Sequence, residues 1–98
     1  MHIVIPVKSV NKEESIVAPT KEATSYAFLE LGEGMQIVAI NFFDALPQDF
    51  FDYIITPDKN DNLDEAYELG ARALLARAGM SIDEIVEALM FRELDEIM

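Results

Sequence analysis

A polar loop, residues 58–62, has four side chains whose oxygen atoms could bind a cation. Asp58, Asn60 and Asn62 have the one-three-five spacing of a calcium-binding loop. However, Leu63 stands where such a loop needs glycine, and Leu69 where it needs a bidentate glutamate. The pattern therefore favours a solvated turn that leads into a helix, and a divalent-cation site is the less favoured alternative.

Other candidate chemistry is sparse. The sequence has no cysteine and a single histidine, His2, so it offers neither thiolate ligands nor a Cys–His pair. A lone histidine near a chain end is more often a packing or surface residue than a metal ligand. No serine has a partner that would activate it, and there is no P-loop, nucleophile elbow or GxGxxG motif. These observations predict that the protein is not an enzyme.

Composition limits the partners. With 19 acidic and 7 basic residues the formal net charge is −12, which disfavours nucleic acid because phosphate binding needs clustered Lys and Arg. No apolar run approaches the roughly 18 residues of a membrane span, and the first residues lack the basic flank of a signal peptide. We therefore expect a cytoplasmic protein without a membrane or nucleic-acid partner. A length of 98 residues predicts one domain, residues 1–98.

Apolar runs and glycines predict an α/β fold. The expected strands, numbered in chain order, are residues 1–8, 23–31, 35–42, 52–56 and 71–77. The run at 1–8 is apolar on both faces, as in a central strand. The second and third strands flank Gly32-Glu33-Gly34 and should form an antiparallel hairpin. Residues 9–20 are expected to be a loop.

Three further segments are expected to cover this sheet. Asp44 and Pro47 suit the start of a short helix, and the nearby phenylalanines Phe42, Phe43, Phe50 and Phe51 are interpreted as core. A helix is expected over residues 63–69, with Gly70 ending it. Ser81 and Glu84 form a capping box before an apolar stripe in the last helix.

Residues 73–89 read Ala73-Leu74-Leu75-Ala76-Arg77-Ala78-Gly79-Met80-Ser81-Ile82-Asp83-Glu84-Ile85-Val86-Glu87-Ala88-Leu89. This segment, with the strand and helix before it, resembles the dinitrogenase iron-molybdenum cofactor biosynthesis domain of NifX, NafY and the tail of NifB. The resemblance implies a three-layer α/β/α fold with a ribonuclease H-like motif. Its five-stranded mixed sheet would have the order 3-2-1-4-5, with the second strand antiparallel.

The family's first loop typically reads Ser-x-His-Phe-Gly-x-Ala, and this chain departs from it. The corresponding positions hold Pro19, Thr20 and Lys21, and only the closing Ala23 agrees. In the loop after the fourth strand, Asp58 and Asn60 replace small residues. By the resemblance these five, Pro19, Thr20, Lys21, Asp58 and Asn60, are the candidate cofactor-binding positions.

Iron-sulfur and iron-molybdenum clusters need sulfur or imidazole donors, which these five positions lack. A relative of this family that lacks these donors would be a small non-catalytic binding or accessory protein without a cofactor, and this is what the resemblance implies here. A carrier of an iron-sulfur or iron-molybdenum cluster in nitrogenase cofactor assembly is the alternative. A ribonuclease H-like nuclease is disfavoured because no aspartate lies on residues 1–8.

Phe91 follows the apolar stripe of the last helix but faces away from it. The family usually has a small residue at this position, so Phe91 is a candidate interface residue for another protein or a second protomer. The alternative is that Phe91 folds back on Met98. A homodimeric interaction module, assembled through Phe91 and the edge hairpin, is thus a third functional hypothesis.

Overall fold

The computed structural model describes residues 1–9 and 15–97. Seven strands and two helices make up this part of the chain. The strands are β1 (His2–Ser9), β2 (Ser15–Val17), β3 (Ser25–Leu31), β4 (Ile37–Phe43), β5 (Tyr53–Thr56), β6 (Arg72–Leu75) and β7 (Asp95–Ile97). The helices are α1 (Asp64–Glu68) and α2 (Ile82–Met90), and 3-10 turns occur at Thr20–Glu22 and Glu33–Met35.

The strands form one mixed sheet in the order β4-β3-β1-β5-β6-β7, with β2 paired to β1 off this path. The β1–β5 and β5–β6 pairs are parallel, and the others are antiparallel. The predicted α/β class with a mixed sheet is confirmed. The predicted five-strand sheet is wrong in strand number and in full order, although the five expected strands keep their predicted relative order within the larger sheet.

The central strand β1 changes neighbour along one of its edges. Ile3 and Val4 pair with β5, whereas residues from Val7 onward pair with β2. Pro6 lies at the changeover, where its carbonyl accepts a hydrogen bond from Ala18 N at 2.9 Å. A proline is compatible with this point of a central strand because no ladder donor is needed there. The change of neighbour brings the segment after β2 next to the end of β5.

Two buried clusters place the helices on opposite faces of the sheet. Ile3, Ile5 and Val7 pack in the cluster that contains Ile85 and Val86 of α2. Val4 packs in the cluster that contains Ala66 of α1. The alternation along β1 follows from the period of two in an extended strand. The Ser81–Glu84 capping box is present, with Ser81 Oγ accepting from Glu84 N at 3.2 Å.

The predicted end of the first helix at Gly70 and the strand predicted after it are both confirmed. Gly70 has φ +95°, a conformation that ends α1 without the strain a side chain would bring. The chain then enters β6, as the strand prediction for residues 71–77 requires. At the other end of the sheet β3 and β4 pair antiparallel as expected, and Gly34 adopts a φ of +66° in the connection.

The interpretation of the phenylalanine run is wrong. No helix forms after Asp44. β4 continues to Phe43, which pairs with Tyr26 of β3, and the chain from there to β5 has no regular secondary structure. Phe51 is fully buried, but Phe42, Phe43 and Phe50 are 52%, 44% and 61% exposed. The run therefore supplies one core residue and three surface aromatic residues.

Candidate functional site

The two loops that hold the predicted site positions meet at the carboxyl end of β5. Asp61 joins them, since its carboxylate accepts hydrogen bonds from the backbone N–H of Thr20 at 2.9 Å and from Thr20 Oγ1 at 2.6 Å. It also accepts one from Thr56 Oγ1 at 2.8 Å. Thr56 is the last residue of β5 and is fully buried. This arrangement, which we call the Asp61 clamp (Thr20, Thr56 and Asp61), fixes the crevice where open α/β sheets usually bind ligands.

The five predicted cofactor-binding residues differ in burial and in hydrogen bonding. Pro19 and Thr20 are half-buried and Lys21 is exposed. Asp58 is half-buried, and its Oδ1 accepts a hydrogen bond from Asn60 N at 2.9 Å. The structure thus brings the two loops together through Thr20, and Asp58 and Asn60 shape the second loop. Whether these five residues bind a cofactor stays a prediction.

Asp61 and Thr56 were missed as site residues. Their contacts join residues that are as many as 41 positions apart, so no local pattern shows them. One signal was available, because Thr56 is a polar residue at the end of an otherwise apolar strand and a buried hydroxyl needs a partner. That partner is Asp61, which lies in the polar loop that begins two residues after Thr56.

A cavity of about 210 Å³ opens beside the Asp61 clamp, and it includes Thr20, Lys21, Tyr26, Asn62 and Glu65 among its lining residues. Burial, followed by the negative charges of Asp61 and Glu65, raises the pKa of Tyr26 above the ordinary 10.0. Tyr26 is therefore a neutral donor, and its hydroxyl lies 3.5 Å from the carbonyl oxygen of Thr20. The cavity is smaller than the roughly 300–1,000 Å³ of typical small-molecule pockets.

The residues of the calcium-loop alternative form hydrogen bonds within their own segment of the chain. Two of the three side chains in this spacing accept backbone hydrogen bonds: Asn62 Oδ1 accepts from Asp64 N at 3.2 Å, and Asp58 Oδ1 accepts from Asn60 N. Within residues 1–9 and 15–97, no three His, Cys, Asp or Glu side chains are grouped closely enough to hold a metal ion. His2 Nε2 lies 3.6 Å from Glu30 Oε1.

A second candidate surface lies at the edge of the sheet. Every residue of β4 is exposed, and within the described part of the chain β4 pairs with β3 alone. Its sequence, Ile37-Val38-Ala39-Ile40-Asn41-Phe42-Phe43, has no charge. Soluble proteins usually protect such an edge with lysine, proline or a bulge, because its free backbone groups can pair with another strand. β4 has no lysine or proline, and its ladder with β3 shifts register only at Val38, so residues 39–43 form a regular strand.

Apolar side chains extend from both faces of this edge. On the α2 side, Ile37, Ile40 and Phe42 border a groove of about 430 Å³ whose opposite wall includes Ile82. On the α1 side, the ring of Phe43 meets Phe28 edge to face, with centroids 6.4 Å apart. We call β4 with these flanking side chains the β4 edge. The sequence prediction missed it because apolar residues on both strand faces also fit a central strand.

Phe91 is the residue that follows α2, and it is 62% exposed. This exposure fits the interface hypothesis, and its role in an interface stays a prediction. The alternative contact, Met98, lies outside the described residues. No helix in the described ranges is long and apolar enough to cross a membrane.

Comparison with known proteins gives a fold. No family model matches the sequence, and no curated protein matches it either. Among solved structures, the crystal structure of PH0822 superimposes with a TM-score of 0.67 over 98% of this chain and 96% of the other, at 14% sequence identity. At this identity the likeness shows that the two chains share a fold.

Proposed function

We propose that this chain is a non-catalytic accessory protein of the NifX/NifB-like kind and that it acts by binding another polypeptide along the β4 edge. The relative order of the five expected strands, with β3 antiparallel to β1, supports the family placement and its ribonuclease H-like motif. A cytoplasmic location is part of the same proposal.

The β4 edge is the observation that carries this proposal. Val38, Ile40, Phe42 and Phe43 are 61%, 39%, 52% and 44% exposed, although about a quarter of the whole chain is charged. An uncharged strand with a free edge and apolar side chains on both faces provides what strand addition requires. Backbone groups supply the affinity, and pockets for alternate side chains supply the specificity.

The crevice supports a non-catalytic role. The carboxylate of Asp61 already accepts three hydrogen bonds that hold two loops together. A general base must reach a substrate proton, and this carboxylate is turned toward the protein's own donors. The clamp is therefore better suited to holding the loops than to proton transfer.

Selection from a displayed library of short linear peptides tests the proposal. The protein should enrich peptides with apolar residues at alternate positions. The protein concentration should be low enough that a second copy does not compete with the peptides for the β4 edge. These peptides should bind Phe91→Glu as well as they bind the parent protein, but they should not bind Ile40→Lys. Ile40 is exposed, so the variant should remain folded, which a thermal melt checks. Equal binding to Ile40→Lys, or no enrichment, would contradict the proposal.

A metallocluster carrier is the second candidate, because the two loops that the family resemblance assigns to the cofactor do meet at the crevice. Its test is anaerobic incubation with an iron-sulfur or iron-molybdenum cluster, followed by desalting and iron analysis. Retained colour that is lost in Asp61→Ala would support the carrier. A colourless protein would leave the strand-binding proposal.

A further inference from the structure

We infer that the strand that pairs with the β4 edge is the β4 of a second copy, in an antiparallel two-fold arrangement centred on Asn41. This inference rests on the proposed function, since it names the partner of the same surface. It follows from the register of β4, from the sizes of its side chains and from its charge.

The register of β4 limits how two copies can pair. The ladder with β3 shifts at one point, where Glu30 pairs with Ala39 and Leu31 with Ile37, so that Val38 is an extra residue. A bulge bends and twists a strand and interrupts a regular ladder. The regular part of β4 is therefore residues 39–43. Along it, Ile40 and Phe42 share the face of Leu29 and Ala27, which is the α2 side.

A two-fold axis at Asn41 matches this segment with itself. On the α2 side, Ile40 of each copy stands opposite Phe42 of the other. On the α1 side, Ala39 stands opposite Phe43, so that a small residue faces a large one twice. The two Asn41 side chains meet at the axis, where each amide can donate to the other. Such self-complementarity is what an isologous interface requires.

Neighbouring registers fit less well. Centring the pair on Ile40 places the bulged Val38 opposite Phe42 and breaks the ladder. Centring it on Phe42 places Ile40 opposite Asp44, which would bring a carboxylate against an apolar side chain. The groove beside Ile82 adds to the preference for Asn41, because the partner's Phe42 then lies over Ile40 at the border of that groove.

The uncharged β4 strand allows two copies of this chain to pair despite their net charge. Two proteins of charge −12 repel each other, and the uncharged β4 edge is a surface along which they can approach without opposing carboxylates in the ladder. Added salt should strengthen the pairing, since the Debye length falls from about 10 Å at 0.1 M to about 3 Å at 1 M. A basic partner would show the opposite salt dependence.

The contact is small. Five residues of strand span about 17 Å, so the interface falls in the weak class, below about 1,200 Å² of total buried area. We expect a dissociation constant on the order of 10–100 µM, and a matching range of protein concentrations is needed to observe the dimer.

Single-cysteine variants test the register, because the chain has no cysteine of its own. Directly opposite residues of an antiparallel pair have Cβ atoms about 4.5–5.5 Å apart, within reach of a disulfide after a small shift. Under mild oxidation Asn41→Cys should form a covalent dimer much faster than Phe91→Cys. A mixture of Ile40→Cys and Phe42→Cys should give mixed dimers faster than either variant alone.

Sedimentation equilibrium on the parent protein provides the second measurement. The mass should approach that of two chains with rising concentration and salt, and Ile40→Lys should remain a monomer. If Asn41→Cys cross-links no faster than Phe91→Cys, or if the parent stays a monomer, the inference is wrong. A monomer that still binds the selected peptides leaves the proposed function standing, whereas a monomer that binds none removes both.

Discussion

Replacing Asp61 with alanine tests the clamp that joins the two crevice loops. The substitution removes the acceptor of three hydrogen bonds, from Thr20 N, Thr20 Oγ1 and Thr56 Oγ1. It leaves the hydroxyl of Thr56 buried without that acceptor. Since a buried donor without a partner costs about 1–3 kcal/mol and the half-buried Thr20 contacts less, we expect a loss of about 2–4 kcal/mol of unfolding free energy.

Asp58→Ala is the matched control. It removes the same charge from the same loop, so any relief of repulsion among the carboxylates is common to both variants. It loses only the acceptor of Asn60 N, in an exposed turn, and should cost less than about 1 kcal/mol. The variants should therefore differ by about 2 kcal/mol, which for a domain of this size is roughly 8–16 °C in melting temperature.

Urea unfolding followed by circular dichroism measures both values. A third variant, Thr56→Val, removes the same contact from the other side. In a double-mutant cycle with Asp61→Ala, it should show a coupling of about 0.5 kcal/mol or more. Equal unfolding free energies for Asp61→Ala and Asp58→Ala would refute the clamp.

Three further predictions concern the core, the last helix and pH. Phe51→Ala should cost about 3–5 kcal/mol because its ring is fully buried, and Phe50→Ala less than about 1 kcal/mol; similar losses in urea unfolding would contradict the assigned burial. Ser81→Ala should cost about 1 kcal/mol through loss of the capping box, and an unchanged urea midpoint would count against that cap. Because the folded-state pKa of Tyr26 is raised, its contribution to stability is complete below pH 10 and is lost as pH rises toward that higher pKa. Near-ultraviolet titration, compared with Tyr26→Phe, should show that Tyr26 ionises late, and ordinary ionisation of Tyr26 would contradict the burial.

The sequence was sufficient wherever a local signal agreed with the tertiary environment. Three examples are the two-sided apolar run of β1, the Ser81–Glu84 capping box and the Gly70 helix end. Each predicts a local conformation that is present in the fold. By contrast, β2 and β7 are three residues long, which is too short for a period to be detected. Their strand conformation comes from pairing with β1 and β6.

The candidate surfaces were harder to predict for related reasons. A strand with apolar residues on both faces is read as central, and only the position of β4 in the sheet shows that it is an edge. The Asp61 clamp depends on contacts between residues far apart in the chain. The structure brings the two loops together through Thr20 and Asp61, and the family resemblance did not indicate that this carboxylate joins them.

Amide hydrogen exchange, recorded on dilute protein with and without a selected strand peptide, shows most directly whether a strand adds to β4. Strand addition at the β4 edge predicts that the amides of residues 39–43 that do not already donate to β3 become protected, while those of residues 58–62 and Phe91 do not change. Protection confined to the crevice loops or to the end of α2, with β4 unchanged, would contradict it.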